Sequence, residues 1–259
     1  MEACQMKKWI NVLCITAAIA LGFGIEPSIA ESKDTAGTVL ITGANRGIGL
    51  EFARQYRSLG YHVIGTARNP AKAQELEALG AQVEQLDVTD SNSVKALAAR
   101  LEGTALDILI NNAGTLGYNA ASFLALDFDR LTPSFEVNSL GPMRVTQALY
   151  KNLKNGSAKK IVHITSIMSS IENNRGGYYG YRASKVALNM FNKSLSIELA
   201  PEGFVCTVLH PGWVKTQIGG EGARLSTKES VVGMMAVIAV MDEETNGKFL
   251  DYQGKAIPW

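Results

Sequence analysis

Tyr181 and Lys185 lie four residues apart in Tyr181-Arg182-Ala183-Ser184-Lys185. On a helix that spacing puts both side chains on one face. A lysine cation beside a phenol lowers the phenol's pKa, which makes it a proton donor usable near neutral pH. Ser166 stands fifteen residues before the tyrosine, and a hydroxyl there can hydrogen-bond a substrate carbonyl. Asn138, in Phe135-Glu136-Val137-Asn138, lies on the helix before it. His210 can be read as a base, but the chain has no serine nucleophile elbow for it to serve, so a hydrolase triad is poorly supported.

A second set of residues is suited to holding phosphate. In Thr42-Gly43-Ala44-Asn45-Arg46-Gly47-Ile48-Gly49 the glycines let the backbone approach a pyrophosphate. The helix that follows offers free N–H groups and the positive end of its dipole. Gly65-Thr66-Ala67-Arg68 has no acid at its tip, and Arg46 sits within the glycine turn. An acid there would favour NAD and an arginine accommodates a 2′-phosphate, so the pattern points to NADP(H). Asp87 and Val88 are placed to meet an adenine ring. In Asn111-Asn112-Ala113-Gly114 an asparagine amide can tie neighbouring strand ends together, while Ala113 and Gly114 leave room for the cofactor. In His210-Pro211-Gly212-Trp213-Val214-Lys215-Thr216 the Pro211-Gly212 pair makes a close turn, and Val214 and Thr216 can bind a carboxamide.

Those groups need a scaffold that brings them together. Short β-branched or apolar runs at 38–42, 61–66, 81–86, 106–110, 160–165 and 204–209 read as strands, with a last short one at 248–250. Helical patterns fill 48–59, 70–79, 132–153, 179–200 and 226–241, and Ser91 caps another that reaches Leu101. Apolar strands separated by helices predict an α/β fold, a single doubly wound Rossmann domain with a mostly parallel seven-stranded sheet covered on both faces. Ligands of such sheets sit outside the carboxyl ends of the strands, so the chemistry is expected just after Thr42, Thr66, Leu86, Ile110, Thr165 and Leu209.

Composition narrows the class further. Hydrophobic residues make up 46% and charged residues 19% of the 259, which is globular and not disordered. With 25 basic and 24 acidic residues there is no excess to neutralise phosphates, so nucleic acid is not an expected partner. Three cysteines make no disulfide scaffold, and no Cys/His cluster has metal spacing. Residues 1–30 differ from the rest: Lys7 and Lys8, an apolar run over 9–25, then Ser28-Ile29-Ala30. This reads as a signal peptide, or uncleaved as an N-terminal anchor, with 31–37 as linker and 38–259 as the domain. Cleavage implies a secreted or periplasmic protein, retention implies membrane contact, and a mis-called start implies a cytoplasmic one.

The ordered set of Thr-Gly-x3-Gly-x-Gly, Asn-Asn-Ala-Gly, Asn138, Ser166, Tyr181, Lys185 and Pro-Gly resembles the short-chain dehydrogenase/reductase family across 38–259. The stretch 173–185, the 210–216 segment and the closing residues 251–259 are similar to its Sniffer carbonyl reductase and C-factor branch, which includes carbonyl reductases and a bacterial cell–cell signalling protein. The resemblance implies a small carbonyl substrate, with Tyr181 giving its proton to the carbonyl oxygen. It also implies that Lys185 lowers the tyrosine pKa and binds the nicotinamide ribose, that Ser166 orients the carbonyl, and that Asn138 holds a water. The family's common serine-to-tyrosine spacing falls on Met168, so Ser166 and Ser169 both stand as the serine. Residues 217–225, with three glycines, suit a short lid, with Trp213 and Tyr178 either lining the cleft or packing beneath it. The resemblance implies either a homodimer joined through the two long helices, as in many family members, or a monomer, as in some relatives of this branch.

Overall fold

The computed structural model describes residues 36–120 and 122–259, so the leader and most of the linker predicted above lie outside the described residues. Seven strands form one sheet in the order β3-β2-β1-β4-β5-β6-β7. They are β1 (Thr38–Ile41), β2 (His62–Ala67), β3 (Gln82–Gln85), β4 (Ile108–Asn111), β5 (Lys160–Ile164), β6 (Val205–His210) and β7 (Phe249–Asp251). Every ladder is parallel, which is the predicted doubly wound sheet.

Side chains alternate between two cores, as a period of two requires. Val39, Ile41, Ile110, Val162 and Leu209 face α1 (Gly47–Ser58), α2 (Gln74–Ala78) and α8 (Thr227–Ala239). Leu40, Leu109, Ile161 and Cys206 face α3 (Ser91–Arg100), α5 (Gly141–Ala148), α6 (Tyr150–Asn155) and α7 (Tyr179–Leu199). The central strands are apolar on both sides because each side is covered. Cys206 is a buried free thiol, and burial pushes it up to about 12.

Three helix readings need correction. The 70–79 segment is a single tight turn at Pro70–Lys72 and then α2, broken at Ala73. The cap of α3 is Asp90, whose carboxylate accepts from Asn92 N at 2.8 Å, so Ser91 is its first helical residue. The long helix at 132–153 starts earlier, as α4 (Phe128–Phe135) capped by Asp127, and it is not continuous. A π turn at Glu136–Leu140 separates α4 from α5. Pro142, four residues after Asn138, has no N–H to give to the Asn138 carbonyl, so a regular helix cannot run through. Such widened turns are frequent at functional sites, and this one carries Asn138.

Strand order reverses between β1 and β4. A crevice opens at that point, as expected of doubly wound sheets.

Candidate active site

The crevice is a single long cleft of about 2250 Å³. Its floor is closed by side chains. Asn112 Nδ2 donates to Thr42 O at 2.9 Å and to Gly43 O at 3.1 Å. Asn112 N and Ala113 N both donate to Thr42 Oγ1 at 3.0 Å. The tie between strand ends is therefore Asn112. Asn111, expected to bind cofactor, does not reach the cleft. It is the last residue of β4, on the Leu109 side of the sheet, and its amide donates to Thr146 Oγ1 of α5 at 3.1 Å.

The glycine turn lies beside this tie. Gly43 (φ +64°) and Gly47 (φ +56°) adopt left-handed conformations that a side chain would strain. The α1 cap, Arg46, has an extended backbone and gives no side-chain hydrogen bond, so the first N–H groups of α1 are left for a ligand. Asn45, Arg46, Gly47 and Ile48 line the cleft. Gly49 does not. A Cβ there would collide with Gly43 O and lie 2.5 Å from Asn112 Nδ2, so its task is to let helix and strand meet. Gly49→Ala is expected to lower stability by about 1–3 kcal/mol, read as the midpoint of urea unfolding. An unchanged midpoint would refute that packing role.

Beyond the turn, Arg68, Asn69 and Lys72 line the cleft at the tip of β2 with no acid among them. Lys72 has no signal in the sequence pattern because the 70–79 segment reads there as helix, whereas it ends the tight turn Pro70–Lys72. Asp87 and Val88 line the next stretch. Burial alone would raise the Asp87 carboxyl. Hydrogen bonds from Thr89 Oγ1 (2.7 Å) and Thr89 N (2.9 Å), with Arg68 nearby, hold it below its usual value instead.

At the other end Ser166, Tyr181 and Lys185 line the same space. Ser166 caps the turn Ile167–Ser169 by accepting from Met168 N at 3.1 Å. Ser169 turns away: its hydroxyl donates to Ser166 O at 2.5 Å and meets Thr165 and Asn189 in the interior. Of the two serines, only Ser166 lines the cleft. Met168, at the common family spacing, also lines the cleft. Lys185 Nζ donates to Ile164 O at 2.7 Å, and burial draws its pKa down to about 8. Burial raises the Tyr181 phenol, and a hydrogen bond with Ser166 pulls it part of the way back. Spacing suggested a phenol lowered by the lysine, but burial dominates and the shift is upward.

Asn138 is fully buried at the edge of this group. Its Oδ1 accepts from Thr115 N at 2.8 Å, and its Nδ2 donates to Thr115 O at 2.8 Å and Ser184 Oγ at 3.0 Å. A Cβ on Gly114 would lie 3.4 Å from Asn138 Oδ1 and 3.6 Å from Lys185 Nζ, so all three converge on one point.

The roof comes from the segment after β6. Ser230 Oγ donates to Pro211 O at 2.6 Å and fixes the Pro211-Gly212 turn to α8. Val214 and Thr216 line the cleft with Gln217 and Ile218. Lys215 N donates to Leu225 O, and Leu225 N to Trp213 O, which closes the base of the 217–225 segment. Trp213 and Tyr178 both line the cleft. A further wall, unsignalled in the sequence, is Tyr118 with the Arg130 guanidinium 4.0 Å above its ring. His210 is drawn down to about 4, mainly by burial, and is therefore neutral. Among the described residues no cluster of acids, histidines or cysteines could hold a metal ion, and no helix is long and apolar enough to cross a membrane.

Comparison with known proteins agrees with this geometry. The family model described as short chain dehydrogenase matches residues 37–224. The C-signal protein of Myxococcus xanthus is 44% identical over 167 residues, which are 64% of this chain and all of that protein. The NADPH-bound carbonyl reductase from chicken fatty liver superposes with a TM-score of 0.80 at 35% identity, covering 87% of this chain and 100% of that one. The carbonyl reductase Sniffer of D. melanogaster gives 0.81 at 34%, covering 86% and 99%.

Proposed function

The chain belongs to the short chain dehydrogenase family, and from that premise we propose that it is an NADP(H)-dependent carbonyl reductase for a small substrate. One observation carries the reading. Ser166, Tyr181 and Lys185 meet at one end of a cleft whose other end presents Arg46, Arg68 and Lys72 with no acid at the β2 tip. The cradle fits a dinucleotide: left-handed glycines, uncapped N–H groups of α1 and a cleft running along the carboxyl ends of the strands. The NADPH held by the chicken enzyme supports the choice of cofactor.

Gly43, Gly47, Arg46, Arg68 and the first N–H groups of α1 would hold NADPH, which would supply hydride for the carbonyl carbon. The chain supplies the rest. Tyr181 O–H gives its proton to the carbonyl oxygen, and the Ser166 hydroxyl donates a hydrogen bond to the same oxygen. Lys185, with a pKa of about 8, is mostly protonated at pH 7 and places its charge beside the developing tyrosinate. Asn138 and Thr115 hold the strand end against Lys185. The alternative is a C-factor-like signalling protein that binds NAD(P) with little turnover, favoured by the 44% identity to C-signal. The buried, complete Ser–Tyr–Lys set weighs against it, because binding alone does not require that set.

The test is parallel titration with NADPH and NADH by tryptophan quenching, followed by NADPH consumption with diketones, quinones and aldehydes. NADPH is expected to bind at least tenfold more tightly than NADH. The double substitution Arg46→Ala/Arg68→Ala is expected to remove most of that preference, since a bidentate arginine–phosphate contact is worth a factor of ten or more. Equal affinity for the two nucleotides, or no binding by folded protein, would overturn the reading.

A further inference from the structure

Tyr178 stands immediately before α7 with φ +49° and ψ +41°. Among the described residues only Lys159 is another non-glycine with positive φ. Gly176 (φ +78°) and Gly177 (φ +67°) precede it, so three successive residues are left-handed. Glycine adopts that region freely, so the strain of the run falls on Tyr178. Such a run needs outside support, and it has it. Arg182 Nε donates to Gly176 O and Gly177 O, both at 3.1 Å, and Arg182 Nη1 donates to Met168 O at 3.2 Å. One guanidinium thus joins the chain just after Ser166 to the chain just before Tyr181.

The residue type at 178 is a poor local choice. Its backbone would suit glycine or asparagine. As the α7 cap it makes no side-chain hydrogen bond, where asparagine, serine or aspartate would make one. Its hydroxyl has no hydrogen-bond partner among the described residues, and its ring lines the cleft with Tyr181 and Met168, 39% exposed. A residue that breaks local rules and faces a site is held there for what its side chain does.

We propose that Tyr178, held left-handed by the Arg182 clasp, is a specificity-determining residue whose ring packs against a flat, unsaturated group attached to the substrate carbonyl. This rests on the reductase reading. Acetylbenzoyl and diacetyl are the probes, since both are vicinal diketones and differ by a phenyl in place of a methyl. Tyr178→Asn fits the backbone and can cap α7, so it is expected to fold and to raise Tm by about 2–4 °C. It is expected to lose about tenfold in kcat/KM for acetylbenzoyl, through KM, and less than twofold for diacetyl. Tyr178→Phe should keep both values, and NADPH affinity should be unchanged in each variant. Arg182→Lys, which loses the fork, should show the same loss of preference with a lower Tm. Equal loss on both diketones, or loss on neither, would overturn the proposal. If the wild-type protein reduces neither these diketones nor the quinones and aldehydes, the reductase reading fails separately. Binding of acetylbenzoyl, followed by tryptophan quenching, then decides: weaker binding to Tyr178→Asn sustains the packing role, and equal binding ends it.

Discussion

Tyr181→Phe is expected to lower carbonyl reduction by about 10³-fold while NADPH affinity stays within about twofold. The phenylalanine ring fills the same buried space, and Tyr181 is 8% exposed, so the fold should be preserved. Only the hydroxyl is lost, and with it the group proposed to protonate the substrate oxygen. Because burial holds the phenol above its ordinary value in the ligand-free protein, Tyr181 is protonated at neutral pH and ready to donate. A steady-state assay with NADPH and a diketone, paired with a nucleotide titration, measures both effects. Retained turnover in the phenylalanine variant would remove Tyr181 from the proposed mechanism. Loss of nucleotide binding alongside turnover would mean that the substitution had damaged the cleft itself.

Lys185→Met should separate activity from stability in opposite directions. Turnover is expected to fall by about 10²–10³-fold, because the cation one helical turn from the phenol is gone. Stability is expected to rise at neutral pH. The folded pKa of about 8 lies below the unfolded value near 10.4, so burying the charged lysine costs about 3 kcal/mol wherever both states are protonated. Losing the hydrogen bond to Ile164 O offsets about 1 kcal/mol of that. The net gain of ~2 kcal/mol at pH 7 corresponds to a Tm higher by about 4–8 °C. The sign of the pH dependence follows from proton uptake. Between about pH 8 and 10.5 the unfolded wild-type chain holds more protons, so wild-type stability rises with pH from this group and the variant's advantage shrinks. Thermal melts of the ligand-free proteins at pH 7 and pH 10 test it. An advantage that is absent at pH 7, or undiminished at pH 10, would contradict a desolvated lysine.

Much of the scaffold was legible because central parallel strands are covered on both faces and read as unbroken apolar runs. The same property hid the asparagine roles. With both faces buried, nothing in Asn111-Asn112 says which amide turns towards the cleft. The register does, because Asn111 continues the Leu109 face and so meets α5. The interrupted helix was less legible, since 3.6-residue periodicity survives a π turn, although Pro142 marked the place. Ser166 was preferred at the strand end but left beside Ser169, because only the folded turn shows Ser169 rotated into the interior. Spacing points to the Lys185 cation as the main influence on the Tyr181 phenol, whereas burial dominates and raises it. Spacing reveals who is near whom, but it does not reveal how completely water is excluded.

The tie between Asn112 and the Thr42-Gly43 turn also bears on how the protein is made. Its partners are about 70 residues apart in sequence, so closing it carries the loop entropy of a long-range contact. As the chain emerges during synthesis, the glycine turn appears well before the amide that fixes it. Until β4 has paired with β1, the turn has no floor and its carbonyls face solvent. The nucleotide cradle is therefore a late product of folding and cannot nucleate it. Nucleotide stabilises the finished sheet, and an excess of it should slow unfolding more than it speeds refolding.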